Sequence, residues 1–171
     1  MATTEATTDT GDGGRVVVGL DASVEARAAL RYALAEARRR AAELEVVTAF
    51  VSPERLAVLL RVPIMTAEAE FAAAAEAAAR SVVEEELAAG RTEHPGDDEP
   101  RVVVRAVAGD PGPVLAHAAT GAARLVLGHR GRGTVASAAL GSVGWWCLRH
   151  ATCPLTVVPP DGARHPGSRR G

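Results

Sequence analysis

The chain has 171 residues, 47 % of them hydrophobic and only 3 % aromatic, with a formal net charge of −2. That length suits one domain with a real core, and the slightly acidic balance argues against a general nucleic-acid binder, which is normally basic. Apart from histidine every basic residue is arginine; the absence of lysine excludes Schiff-base chemistry and the phosphate lysine of a P-loop.

Alanine supplies much of the apolar content, so the core is expected to be closely packed aliphatic layers. Cys147 and Cys153 are the two cysteines, and their spacing fits neither a redox pair nor a zinc site. They read as buried free thiols in a reducing cytoplasm. No apolar run reaches the ~18 residues of a membrane span, and no basic-then-apolar start marks a secretory signal. A cytoplasmic protein is expected.

Residues 1–14 are polar and read as a disordered leader. Arg15-Val-Val-Val-Gly-Leu20 reads as a buried strand, with Asp21-Ala22-Ser23 as the turn into a helix that Ser23 caps. Leu30, Leu34, Ala37 and Ala41 repeat at helical spacing, and Arg38-Arg39-Arg40 reads as solvated charge at the negative end of the helix dipole. Glu45–Val51 is the second strand. The segment from Leu56 to Ile64 is apolar but interrupted by Pro63; it is a short helix, a flap over a site, or a plain connector. Thr66–Ala89 predicts a long helix burying Phe71, Ala75, Ala78, Val82 and Leu87, with Glu84-Glu85-Glu86 solvated. Gly90–Pro100 is a loop.

Arg101–Val107 is the third strand. Gly109-Asp-Pro-Gly-Pro113 is a turn into a helix running through Ala122, with Pro113 in its first turn. Arg124–Leu127 is the fourth strand, Ser142–His150 a helix with Val143, Cys147 and Ala151 on one face, and Leu155–Val158 the fifth strand. The remainder, 159–171, reads as a disordered tail. Strands alternating with helices predict a parallel sheet covered on both faces. Ligands of such sheets bind beyond the carboxyl ends of the strands, where strand order reverses.

Gly128-His-Arg-Gly-Arg-Gly-Thr134 follows the fourth strand, and Gly141-Ser142 opens the next helix. Glycines there let a backbone approach a ligand closely, and a helix N-terminus offers unpaired N–H groups and partial positive charge. The stretch either cradles a phosphate or only makes a tight turn. Its place after a fourth parallel strand, facing Asp21 across the sheet edge, favours the cradle.

Three stretches carry a resemblance: Val-Val-Val-Gly-Leu-Asp-Ala-Ser near the start, Val107-Ala-Gly-Asp-Pro-Gly-Pro-Val-Leu115, and Gly-x2-Gly-x9-Gly-Ser leading to Cys-Pro-Leu-Thr-Val-Val. Over residues 15–158 the chain resembles the universal stress protein family, in its single-domain, nucleotide-binding form. The resemblance implies an α/β three-layer domain with a five-stranded parallel sheet of order 3-2-1-4-5. It also implies ATP binding, with Mg2+ accompanying the phosphates, and a homodimer through the strand Leu155–Val158.

Carried over by residue, Asp21 would approach the ribose and Ala49 would present backbone groups to adenine. Leu127 and Gly128 would line the ribose, while Gly131, Gly141, Ser142 and Val143 would hold phosphates. Thr48, His129, Trp145 and Trp146 depart from the common pattern. Trp145 is expected to be exposed and Trp146 to pack against the sheet or a partner.

The leading expectation is an ATP-binding regulatory protein of the stress response, with an unidentified protein partner and at most weak ATP hydrolysis. The alternative is a homodimeric interaction module of the same fold that binds no nucleotide. An adenylyl transferase would show a Ser-Gly-Gly or His-x-Gly-His phosphate motif, and neither occurs. A flavodoxin-like carrier would need aromatics to stack on a flavin. No catalytic set and no metal site is legible. His117 and His150 have ordinary helix-surface explanations, while His94 and His165 sit in the segments read as flexible.

Overall fold

The computed structural model describes residues 14–93, 98–129 and 140–159. Its elements run β1 (Arg15–Gly19), α1 (Val24–Arg40), β2 (Glu43–Phe50), α2 (Pro53–Leu60), α3 (Glu68–Glu93), β3 (Val102–Ala108), α4 (Pro111–Ala118), β4 (Arg124–Gly128), α5 (Ser142–His150) and β5 (Leu155–Val158). The expected leader, tail and most of the glycine loop lie outside the described residues.

The strands form one sheet of order β3-β2-β1-β4-β5, parallel at every pairing. β1 is central, and Val16, Val17 and Val18 are all completely buried. This is why β1 is apolar throughout: both faces of a covered parallel sheet are interior.

Two aliphatic layers flank the sheet. On one face, Val16, Val18, Leu44 and Val46 pack against Ala29, Leu30, Ala33 and Leu34 of α1 and Ala79 and Val83 of α3. On the other, Val17, Val47, Leu125 and Leu127 pack against Leu115 of α4 and Cys147 of α5. Cys147 is fully buried, and its Sγ donates to the Gly112 carbonyl at 3.7 Å. Burial first, and the nearby Cys153 second, push its thiol up to about 11. Both cysteines are free, Cys147 buried and Cys153 half-buried.

Several boundaries differ from the sequence expectation for identifiable reasons. Ala41 does not extend the apolar face of α1; it is the C-cap, left-handed at φ 50° and exposed. The 56–64 segment is a helix that begins at Pro53 and stops at Arg61, left-handed at φ 54°, just before Pro63. α4 begins at Pro111 after the N-cap Asp110, which leaves Pro113 in the first turn as expected, but it ends at Ala118 rather than Ala122.

The buried line of α3 runs through Ala79 and Val83, whereas Ala78 is exposed. Nor are the acids of α3 merely solvated. Glu85 takes a hydrogen bond from Arg27 at 2.8 Å, and Glu86 is held by Arg31 at 3.1 Å through both oxygens. These pairs tie α3 to α1. Within α1, Arg39 and Arg40 close on Glu36, whose side chain is only 8 % exposed, so these two arginines of the run are paired rather than free charge.

Candidate functional site

Where β1 stops short, the sheet opens. The last rung between β1 and β2 is the Leu20 N–H donating to the Val47 carbonyl at 2.9 Å. Backbone groups alternate sides along a strand, so Ala49, two residues beyond Val47, turns its N–H and C=O the same way. That way now faces a cavity of about 310 Å³, which Ala49 lines together with Val47.

The other walls come from the starts of three helices. The turn into α1 contributes Asp21, Ser23 and Ala26; α4 contributes Pro111 and Leu115; the start of α5 contributes Gly141, Ser142, Val143 and Gly144. Leu127 and Gly128, at the end of β4, close the floor. The starts of α1 and α5 bring helix-end N–H groups and partial positive charge, whereas α4, with Pro111 and Pro113 in its first turn, offers mainly its dipole; together they make an anion-accepting rim.

Local chemistry explains the geometry. The Asp21 carboxylate takes hydrogen bonds from Ser23, from its N–H at 2.9 Å and from its hydroxyl. Ser23 Oγ then accepts from the Ala26 N–H at 3.1 Å and so caps α1. Asp21 thus both shapes the turn and stands in the cavity wall.

Gly128 is required by close approach. A Cβ there would lie 2.7 Å from the Glu25 carbonyl oxygen, so β4 can reach the first turn of α1 only with glycine. At Gly19 an added Cβ would lie 2.8 Å from Leu115 Cδ1. The Gly141 N–H donates to the His129 carbonyl at 3.3 Å, which ties together the two ends of the segment between them.

Of the residues picked from sequence, Asp21, Ala49, Leu127, Gly128, Gly141, Ser142 and Val143 all line this one cavity. Gly131 lies outside the described residues, as do Arg130 and Arg132. Sequence reasoning missed Ser23, Ala26, Pro111 and Leu115. The signal for Pro111 was present in the Gly-Asp-Pro-Gly-Pro turn; Leu115 and Ala26 look like ordinary core residues. Trp146 packs neither on the sheet nor wholly in the open: an added Cβ at Gly112 would lie 2.6 Å from its Cγ, and its ring stacks on His150 at 4.3 Å. Trp145 is 54 % exposed. Among the described residues no group of three or more His, Cys, Asp or Glu could hold a metal ion.

Residues 14–159 match the Universal stress protein family, and the chain belongs to it. Universal stress proteins of Mycobacterium tuberculosis and Mycobacterium bovis are 31 % identical over 170 residues, covering 88 % of this chain and 50 % of theirs. The chain therefore spans about half the length of those relatives. Among solved structures, the universal stress protein UspA from Lactobacillus plantarum superposes with a TM-score of 0.64 at 22 % identity, covering 86 % of this chain and 99 % of that one.

A universal stress protein in complex with cAMP gives 0.55 at 22 % identity, over 86 % of this chain and 97 % of its own. The protein from Archaeoglobus fulgidus in complex with dAMP gives 0.53 at 20 % identity, over 85 % and 97 %. At these identities the likeness shows the fold. No described helix is long and apolar enough to cross a membrane.

Proposed function

We propose that the cavity binds an adenine nucleotide, ATP with Mg2+ in the first instance, and that the protein is a nucleotide-binding regulator in the stress response with little or no turnover. The carrying observation is the convergence of three helix starts and the open backbone rung at Ala49 on one cavity. In this reading the Ala49 backbone meets the base edge. Asp21 meets the ribose hydroxyls, beside Leu127 and Gly128. Gly131, Ser142 and Val143 donate to phosphate oxygens, and Gly141, whose N–H is held by the His129 carbonyl, lets the backbone come close to them. Mg2+ would be carried chiefly by those phosphates. The solved relatives in complex with cAMP and dAMP support an adenine ligand for this fold.

No catalytic residue is assigned. Equilibrium dialysis with labelled ATP tests the reading: a wild-type dissociation constant above about 1 mM sinks it. Gly141→Val puts a branched side chain beside the Ser142 and Val143 amides, and we expect binding to weaken at least about tenfold. If it does not, Gly141 is no part of a phosphate cradle.

A second reading, a homodimeric interaction module, draws on β5 and α5. β5 is an edge strand of half-buried residues, edges of this kind are normally covered, and Trp145 and Leu148 are 54 % and 56 % exposed nearby on α5. We infer that two copies pair through Leu155–Val158; the same pairing serves a nucleotide-bound regulator or one that binds none.

A further inference from the structure

On the face of the sheet that carries α4 lies a second cavity, of about 680 Å³, lined by residues of β1, β2, β3 and α4. That volume is enough for a small organic molecule. Val47 and Val107 supply apolar lining from the strands, and Pro113 and Val114 supply it from the helix. Among these aliphatic residues stands a carboxylate. Glu45 is only 3 % exposed, with Arg15 at 2.8 Å and Arg105 at 3.0 Å, and all three line the cavity.

A buried ion pair adds little stability over well-packed apolar residues, so what matters is the hydrogen-bonding capacity this one leaves over. Arg15 is spent: Nη1 is on Glu45, and Nη2 donates to the Ala118 and Thr120 carbonyls at 2.9 and 3.0 Å. Arg105 gives Glu45 its Nη1 alone. Among the described residues its Nε and Nη2 have no partner, and neither does the His117 ring, also in the lining. The Nε–Nη2 edge of a guanidinium presents two parallel N–H groups that match the two oxygens of a carboxylate. Glu45 thus anchors Arg105 by one corner and leaves its forked edge open.

The charges narrow the ligand. Arg15 and Arg105 against Glu45 leave one positive charge, 2 − 1 = 1. Asp110, the other acid of the lining, is matched by Arg55 at 2.7 Å. One negative charge completes the balance, and a second would face the buried Glu45 carboxylate uncompensated. We propose that this cavity is a binding site for a small organic monocarboxylate. Its carboxylate takes the open edge of Arg105 and the His117 ring, and its apolar body lies against Val107, Pro113 and Val114. The site is distinct from the nucleotide cavity, with which it shares only Val47 among the described lining residues, and it needs no nucleotide.

The test is titration of the 15N-labelled full chain with benzoate, followed by NMR at the Arg105 Nε–H and the ring of His117. Saturable shifts with a dissociation constant of about 1 mM are expected, and no saturation below ~10 mM overturns the site. Benzamide, the same shape without the charge, should bind at least about tenfold more weakly, as should phenyl phosphate with its second negative charge. Arg105→Lys keeps a cation beside Glu45, so the fold is retained, but it loses the fork and should weaken benzoate about tenfold. His117→Ala, on the exposed side of α4, should weaken it about threefold. Benzamide binding as tightly as benzoate, or both variants binding like the wild type, would overturn the proposal. So would displacement of benzoate by excess ATP, which would put the carboxylate in the other cavity. Failure of ATP to bind at all sinks the nucleotide reading alone and leaves these benzoate results standing.

Discussion

A single methyl group at position 128 is enough to test how tightly the site is framed. An added Cβ would approach both the carbonyl oxygen and the carbonyl carbon of Glu25, at 2.7 and 2.8 Å, and these are backbone atoms that cannot swing aside. Gly128→Ala should therefore cost ~1–3 kcal/mol of stability, read by denaturant unfolding, and should loosen the α1 turn that carries Asp21. The need for glycine here was only half legible in the sequence. The spacing marked Gly128 as part of a loop, whereas its close neighbour is the first turn of a helix a hundred residues away. Asp21 was legible for two roles, turn-former and ligand group, and the structure shows the first while placing the side chain where the second is chemically reasonable.

Between elements, charge and packing do different work. Glu36 takes hydrogen bonds from Arg40 and Arg39, the largest causes that hold its carboxyl below the usual 4.5, with Arg124 adding attraction. A carboxyl depressed in the folded state contributes stability above its unfolded value and loses that contribution as pH falls through the folded value. Glu36→Gln should cost ~1–2 kcal/mol at pH 7. The gap between variant and wild type should close as unfolding is measured at pH values below 4.5.

The contact between α4 and α5 is steric. With Trp146 Cγ 2.6 Å from an added Cβ, Gly112→Val should push the two helices apart and destabilise by ~2 kcal/mol or more. It should also shift tryptophan emission, because Trp146 loses its seat. These couplings were beyond sequence reading. Helical periodicity located α1, α3 and α5, but it cannot say which helix meets which, so the acids of α3 looked solvated. α2 stayed ambiguous because its apolar residues remain exposed, and periodicity reports burial.

For the molecule as a whole, the β-α alternation made a covered parallel sheet legible, the family resemblance alone implied the order of its strands, and five parallel strands stand in that order. This order leaves two edge strands, β3 and β5, of which β5 is the one proposed to pair. Pro154 and Val158 turn their carbonyls toward β4, accepting from Leu125 and His129. By the period of two, Leu155 and Val157 point outward. Val157→Pro removes an outward N–H and spares the rungs to β4. Sedimentation equilibrium should find the wild type near twice 17.6 kDa and the variant near that single mass; a monomeric wild type ends the dimer proposal.

The central place of β1 has a consequence for how the chain is made. Its first neighbour, β2, begins at Glu43, but its second flank waits for β4, where Val16 meets Arg124, 124 − 16 = 108 residues later. At ~5–20 residues per second of synthesis, that is roughly 5–20 s. For that interval a strand whose three valines end completely buried presents an unpaired edge, and the nascent chain is exposed to wrong pairing on the ribosome.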